Sequence, residues 1–231
     1  MSQGYFITGT DTGIGKTWST VALMQYFKNQ GKTVLGMKPV ASGCDELDGR
    51  LKNEDALLLQ QYASFALPYE DVNPYAFTLP VSPHIAAEQA GIEIVLDEIV
   101  DKYQQIENLA DIVLVEGVGG WLVPLNAHQH VADLAKQLKL PVIVVVGMRL
   151  GCINQAKLTF AAIQQSRVEC RGWIASCMEQ DMLMLDENIQ TLCQATEMPL
   201  LAVLPFREKL NPEYFTSVFP LKEEVPKQSS L

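Results

Sequence analysis

The stretch Gly9-Thr10-Asp11-Thr12-Gly13-Ile14-Gly15-Lys16-Thr17 constrains this chain more than any other. It follows the apolar run Tyr5-Phe6-Ile7-Thr8 and leads into a segment of helical spacing, so the order is strand, glycine-rich loop, helix. Glycines let successive backbone N–H groups turn inward around an anion, and the helix N-terminus adds positive potential. A lysine closing such a loop reaches the β- and γ-phosphates of a nucleoside triphosphate, and the Thr17 hydroxyl can ligate magnesium. The usual spacing puts a glycine five residues before Gly15; that position is Thr10, and the glycine comes one residue earlier. A glycine-rich turn without a ligand is the bland alternative, and Gly-Lys-Thr in this context argues against it.

Apolar runs at 5–8, 33–38, 112–116, 142–147, 172–176 and 200–204 read as strands, and several are continuously apolar, as in Val142-Ile143-Val144-Val145-Val146. Strands buried on both faces of a parallel sheet read that way. Helical patterns lie between them at 16–30, 54–62, 96–109, 131–138, 153–165 and 186–196. The alternation predicts a doubly wound α/β fold of the P-loop NTPase type, its mostly parallel sheet covered by helices on both faces. Ligands in such folds sit beyond the carboxyl ends of the strands. With 231 residues, 48% of them hydrophobic, one domain over 1–231 is expected, with 221–231 a loosely ordered tail.

The formal net charge is −10 with no basic block, which argues against a nucleic-acid partner. The apolar run 140–147 is too short to cross a membrane, and no leader of basic and then apolar residues is visible. Five scattered cysteines without a CxxC pair suggest reduced thiols, so the cytoplasm is expected.

The other strand-end loops carry further candidates. Lys38-Pro39-Val40-Ala41-Ser42-Gly43 follows the second strand; its lysine can neutralise a second anion, or simply be solvated before a turn. Asn53-Glu54-Asp55 opens a helix, where acidic residues are ordinary partners of the dipole, while Asp55 can also serve magnesium. The third strand closes on Glu116, placed as a Walker B carboxylate would be, before Gly117-Val118-Gly119-Gly120-Trp121. Gly151-Cys152-Ile153-Asn154 opens the helix after the fourth strand; its N–H groups can hold a carboxylate, or merely link strand to helix. The three histidines have no metal-ligand spacing and read as structural.

Together with Asn73-Pro74-Tyr75, Ser82-Pro83-His84 and Leu150-Gly151-Cys152-Ile153-Asn154, these motifs resemble the dethiobiotin synthetases, colinearly over about residues 4–206. The resemblance includes the early Gly9. It implies ATP-dependent ring closure of 7,8-diaminononanoate with CO2, through a carbamate and a carbamic-phosphoric mixed anhydride, as a step of biotin synthesis. It implies that Lys16 and Lys38 act on the γ-phosphate and carbamate, and that Thr17, Asp55 and Glu116 surround Mg2+. Nucleotide contacts are implied at Gly13, Ile14, Gly15, Lys16, Thr17, Trp18, Asp55, Glu116, Gly117, Val118, Gly119, Ser176, Cys177, Pro205, Phe206 and Arg207. Substrate contacts are implied at Thr12, Lys38 and Ser42, and at Gly151, Cys152, Ile153 and Asn154 of the partner subunit in a homodimer. One departure concerns the base: the family commonly has asparagine where this chain has Ser176, a shorter group with a single hydroxyl.

Two other classes compete. A ParA/MinD-like switch ATPase carries a signature lysine early in the loop, where this chain has Asp11. A small-molecule kinase would stop after phosphoryl transfer, and the 38–43 and 151–154 segments favour the synthetase over it.

Overall fold

The computed structural model describes residues 3–206. The expected tail 221–231 and Arg207 lie outside them. Six parallel strands form the central sheet: β1 (Gln3–Gly9), β2 (Val34–Met37), β7 (Ile112–Glu116), β8 (Val142–Met148), β9 (Cys170–Cys177) and β10 (Leu200–Leu204). Their spatial order is β10-β9-β8-β1-β7-β2, which puts β1 between β7 and β8. The strand period of two sorts the side chains. Tyr5 and Ile7, Ile112 and Leu114, and Ile143 and Val145 point to one face, whereas Phe6, Val113, Val115, Val144 and Val146 point to the other.

The first face is covered by α1 (Lys16–Asn29) and by Leu59 of α2 (Glu54–Tyr62). The second is covered by α4 (Pro83–Ala90), α5 (Leu96–Ile106), α6 (Val131–Leu138), α7 (Cys152–Gln165) and α8 (Leu185–Ala195). Each fully buried aliphatic side chain contributes roughly 1.5–3 kcal/mol. Two buried layers on one sheet account for a chain so rich in Val, Ile and Leu.

Six short elements escape the sequence pattern: β3 (Val40–Ser42), β4 (Asp45–Leu47), β5 (Arg50–Lys52), α3 (Tyr69–Val72), β6 (Tyr75–Phe77) and α4. The four strands among them make two small side sheets, parallel β3–β6 and antiparallel β4–β5. The expected helix over 96–109 stops at Ile106, beyond which the chain turns, with Leu109 N–H donating to the Ile106 carbonyl. The expected helix over 153–165 begins one residue earlier, at Cys152, because Gly151 (φ 95°) supplies the left-handed cap.

Register then positions the site. Ile7 of β1 lies opposite Glu116 of β7, and Met37 of β2 lies opposite Val115. The next residue of β2's path, Lys38, therefore emerges beside Glu116 at the carboxyl edge of the sheet.

Candidate functional site

A cleft of about 730 Å3 opens at that edge. The loop after β1 forms one wall. Gly13 (φ 70°) and Gly15 (φ 83°) adopt left-handed backbone that a side chain would strain. Gly9 is needed for a different reason, since a Cβ there would stand 2.7 Å from Ile14 Cδ1. The displaced glycine is thus a packing requirement of the loop, which folds Ile14 beneath itself.

Lys16 and Thr17 start α1 and are both buried. The Lys16 ammonium donates to the Asp11 carbonyl (2.7 Å). The Thr17 hydroxyl donates to Glu116 Oε1 (2.9 Å). Lys38 Nζ donates to the same Glu116 oxygen (2.6 Å), to Asp55 Oδ2 (3.0 Å) and, at 3.4 Å, to the Gly117 carbonyl. The Glu116 side chain is wholly buried, while Asp55 is 41% exposed.

These charges set one another's proton affinity. Burial lowers Lys16, and the nearby Lys38 ammonium lowers it further; Glu116, Asp55 and Asp11 pull the other way, leaving it at about 8. Burial would lower Lys38 too, but Glu116 and Asp55 outweigh it by charge and hydrogen bond and raise it to about 12. Burial pushes the Asp55 carboxyl up, yet Lys38, the Thr17 hydroxyl and Lys16 hold it below the usual carboxylate value.

A prediction follows for Lys16. A phosphate loop needs this lysine charged, so its contribution to triphosphate affinity is expected to be constant well below pH 8. Above pH 8 it should fall by up to about tenfold per pH unit until the higher pKa of the bound state is reached. Calorimetry with a non-hydrolysable triphosphate in two buffers near pH 8.5 should register proton uptake; affinity unchanged to pH 9.5 would refute this.

Thr17, Asp55 and Glu116 offer one hydroxyl and two carboxylates, and Glu116 Oε2 is buried with no partner among the described residues. An orphaned carboxylate oxygen among hard donors fits magnesium, which keeps much of its shell as water and phosphate. Among the described residues no three His, Cys, Asp or Glu side chains gather into a metal cage.

Of the other expected residues, Thr12, Trp18, Ser42, Val118, Gly119, Ser176, Cys177, Pro205 and Phe206 line the cleft. Ser42 Oγ is buried there without a partner among the described residues. Ile14 and Gly117 lie beneath the surface; a Cβ on Gly117 would press on the Phe6 ring at 3.1 Å. Gly151, Ile153 and Asn154 are not brought to this cleft. They border a second concavity of about 560 Å3 with Leu150, Lys157, Leu158 and Asn188, and Cys152 is buried behind it.

Several residues that act on the site had no site role assigned from the sequence. Asn53 Oδ1 accepts from the Asp55 N–H (3.1 Å), and the Asn53 N–H donates to the Tyr69 hydroxyl (2.7 Å). That hydroxyl donates to Asn73 Oδ1 (2.9 Å), and Asn73 Nδ2 donates to the Lys38 carbonyl (2.7 Å). The chain of bonds ties Asp55 to Lys38, and Asn53-Glu54-Asp55 and Asn73-Pro74-Tyr75 were its visible traces. Asp11 Oδ2 pairs with Arg149 Nη2 at 2.6 Å, linking the phosphate loop to the turn before α7. Pro80, Val81, Ser82 and Pro83 also line the cleft.

Comparison with known proteins supplies the family. A family model described as an AAA domain matches residues 3–214. An ATP-dependent dethiobiotin synthetase of Nitrosospira multiformis is 44% identical over 96% of this chain and 96% of its own. One from Xanthomonas oryzae pv. oryzae is 45% identical over 88% and 91%. Among solved structures, the Aquifex aeolicus MinC:MinD cell division complex aligns over 93% of this chain and 85% of that one, with TM-score 0.56 at 15% identity. The signal recognition particle receptor FtsY of Elizabethkingia anophelis aligns over 94% of this chain but only 60% of its own, with TM-score 0.55 at 14% identity. At such identities the two structures share the fold alone.

Proposed function

This chain belongs to the ATP-dependent dethiobiotin synthetase family, and we propose that it closes the ureido ring of dethiobiotin from 7,8-diaminononanoate, CO2 and ATP with Mg2+, as a cytoplasmic homodimer. The observation that carries this is the convergence of two ammonium groups, Lys16 and Lys38, on one cleft beside the orphaned Ser42 hydroxyl. A triphosphate alone needs only the first lysine; a second, on the facing strand end, suits a second anionic reactant.

In this reading one amine of the diamine attacks CO2 and loses a proton, giving a carbamate. Thr12 and Ser42 orient the carbamate, and Lys38 offsets its charge against the γ-phosphate held by Lys16. Phosphoryl transfer gives the mixed anhydride, and the second amine displaces phosphate as the ring closes. Magnesium held by Thr17, Asp55 and Glu116 would neutralise triphosphate charge. Trp18, Ser176, Cys177, Pro205 and Phe206 would border the base. The described part of the cleft needs no protein nucleophile, because the substrate supplies each one: its first amine, the carbamate oxygen that attacks the γ-phosphate, and its second amine.

The homodimer reading is supported by Leu150 (99% exposed) and Leu158, large apolar side chains left in water around the second concavity. A partner seated there would bury them and present Gly151, Cys152, Ile153 and Asn154 to its neighbour's substrate. Leu158→Glu is expected to give monomers by light scattering and to raise KM for the diamine roughly tenfold while triphosphate still binds; an unchanged dimer would defeat this placement. No described helix is long and apolar enough to cross a membrane. All five cysteines are free, which suits a reducing compartment.

The direct test is fixation of labelled CO2 into an acid-stable product with ATP, magnesium and the diamine. Failure to form product, with ATP hydrolysis stimulated instead by a protein partner, would favour the switch-ATPase reading.

A further inference from the structure

We propose that Lys38 is the resident cation of the Asp55–Glu116 pair, so that its ammonium and a magnesium ion exclude one another and triphosphate entry moves Lys38 off the carboxylates as the metal moves on. The inference rests on the reading of Asp55 and Glu116 as metal ligands and goes beyond it.

Every acceptor around Lys38 Nζ is an oxygen: Glu116 Oε1 at 2.6 Å, Asp55 Oδ2 at 3.0 Å and the Gly117 carbonyl at 3.4 Å. That is the donor chemistry magnesium also takes. The Lys38 side chain is 5% exposed and Glu116 is wholly buried, so solvent screens the contact little. The local charges already balance, with Lys16 and Lys38 against Asp55 and Glu116. A divalent ion added alone would leave two uncompensated positive charges beside Lys38 in a buried site, which is unfavourable. A triphosphate arriving with the metal brings the missing negative charge and gives the displaced ammonium a new partner. Metal and nucleotide therefore bind as a unit, and the same event delivers Lys38 to the transferring phosphoryl group.

The exchange is tested by Mn2+ binding, read as loss of the free-ion electron paramagnetic resonance signal. Without nucleotide, Lys38→Met should bind Mn2+ on the order of tenfold tighter than wild type or more, despite losing turnover. Equal or weaker binding by the variant would overturn the proposal. A second measurement needs only 15N-lysine wild-type protein, with the Lys38 ammonium resonance assigned by its loss in Lys38→Arg. Magnesium added with a non-hydrolysable triphosphate should shift that resonance in step with saturation; an unmoved resonance at saturation would overturn the exchange. If wild type takes up no Mn2+ even with the triphosphate, the assignment of the metal ligands fails and the exchange fails with it. If it does so, and Glu116→Gln weakens uptake while Lys38→Met fails to tighten nucleotide-free binding, the exchange alone is wrong.

Discussion

Lys38→Ala is expected to cut turnover by roughly a thousandfold or more while triphosphate still binds. The phosphate loop, with Gly13, Gly15, Lys16 and Thr17, does not depend on Lys38 for its backbone, so the nucleotide keeps its cradle. What is lost is the positive charge between the proposed phosphoryl donor and its anionic acceptor, an interaction that strengthens as charge moves during transfer. The alanine variant also leaves Glu116, wholly buried, facing Asp55 without the ammonium that joins them. Breaking a buried pair on one side costs roughly 3–5 kcal/mol, so the metal-free variant should melt lower and regain stability when magnesium is added. Lys38→Arg is not expected to rescue activity, because a larger planar guanidinium cannot take the place of a compact ammonium in this buried site. Steady-state kinetics with nucleotide binding measured separately decides the matter, and near-normal turnover would remove Lys38 from the reaction.

How far the fold could be read in advance follows from the length of each signal. The strands expected at 112–116 and 142–147 are apolar runs, broken only by the closing Glu116, with buried neighbours on both faces, so local composition was enough, and β8 runs one residue further, to Met148. Val40–Ser42 and Tyr75–Phe77 are three residues each, too short for a period, and they exist because they pair with one another across more than thirty residues. The candidate site divides the same way. Lys16, Thr17 and Glu116 were legible because each belongs to a local feature, a glycine-rich loop running into a helix or an apolar strand closing on a carboxylate. The partnership of Lys38 with Glu116 depends on the β2–β7 register between segments 78 residues apart, which no local pattern encodes. Asp11 with Arg149 is likewise a product of β1 lying beside β8. The link from Asn53 to Asn73 needs the Asn53 backbone N–H to meet the Tyr69 hydroxyl from a separate turn, and its residues look like ordinary caps and turn formers when read singly.

Glu116→Gln is expected to raise the magnesium concentration needed for half-maximal activity by roughly ten- to a hundredfold and to lower the maximal rate. Glutamine preserves the shape and can still accept from Thr17 and Lys38 through its Oε1, so the loop geometry should survive. The negative charge disappears, together with the second carboxylate oxygen, Oε2, that has no partner among the described residues. Lys38 then keeps Asp55 as its one remaining carboxylate partner among those that raise its pKa, and its proton affinity should fall. Asp55→Asn provides the internal comparison. Asp55 is 41% exposed where Glu116 is fully buried, so water can replace much of what its carboxylate supplies. The metal titration should therefore shift less for Asp55→Asn than for Glu116→Gln. An unchanged titration in Glu116→Gln would take this residue out of the metal site. The reverse order of the two variants would mean that the metal sits toward the open side of the cleft, with Glu116 serving chiefly to hold Lys38.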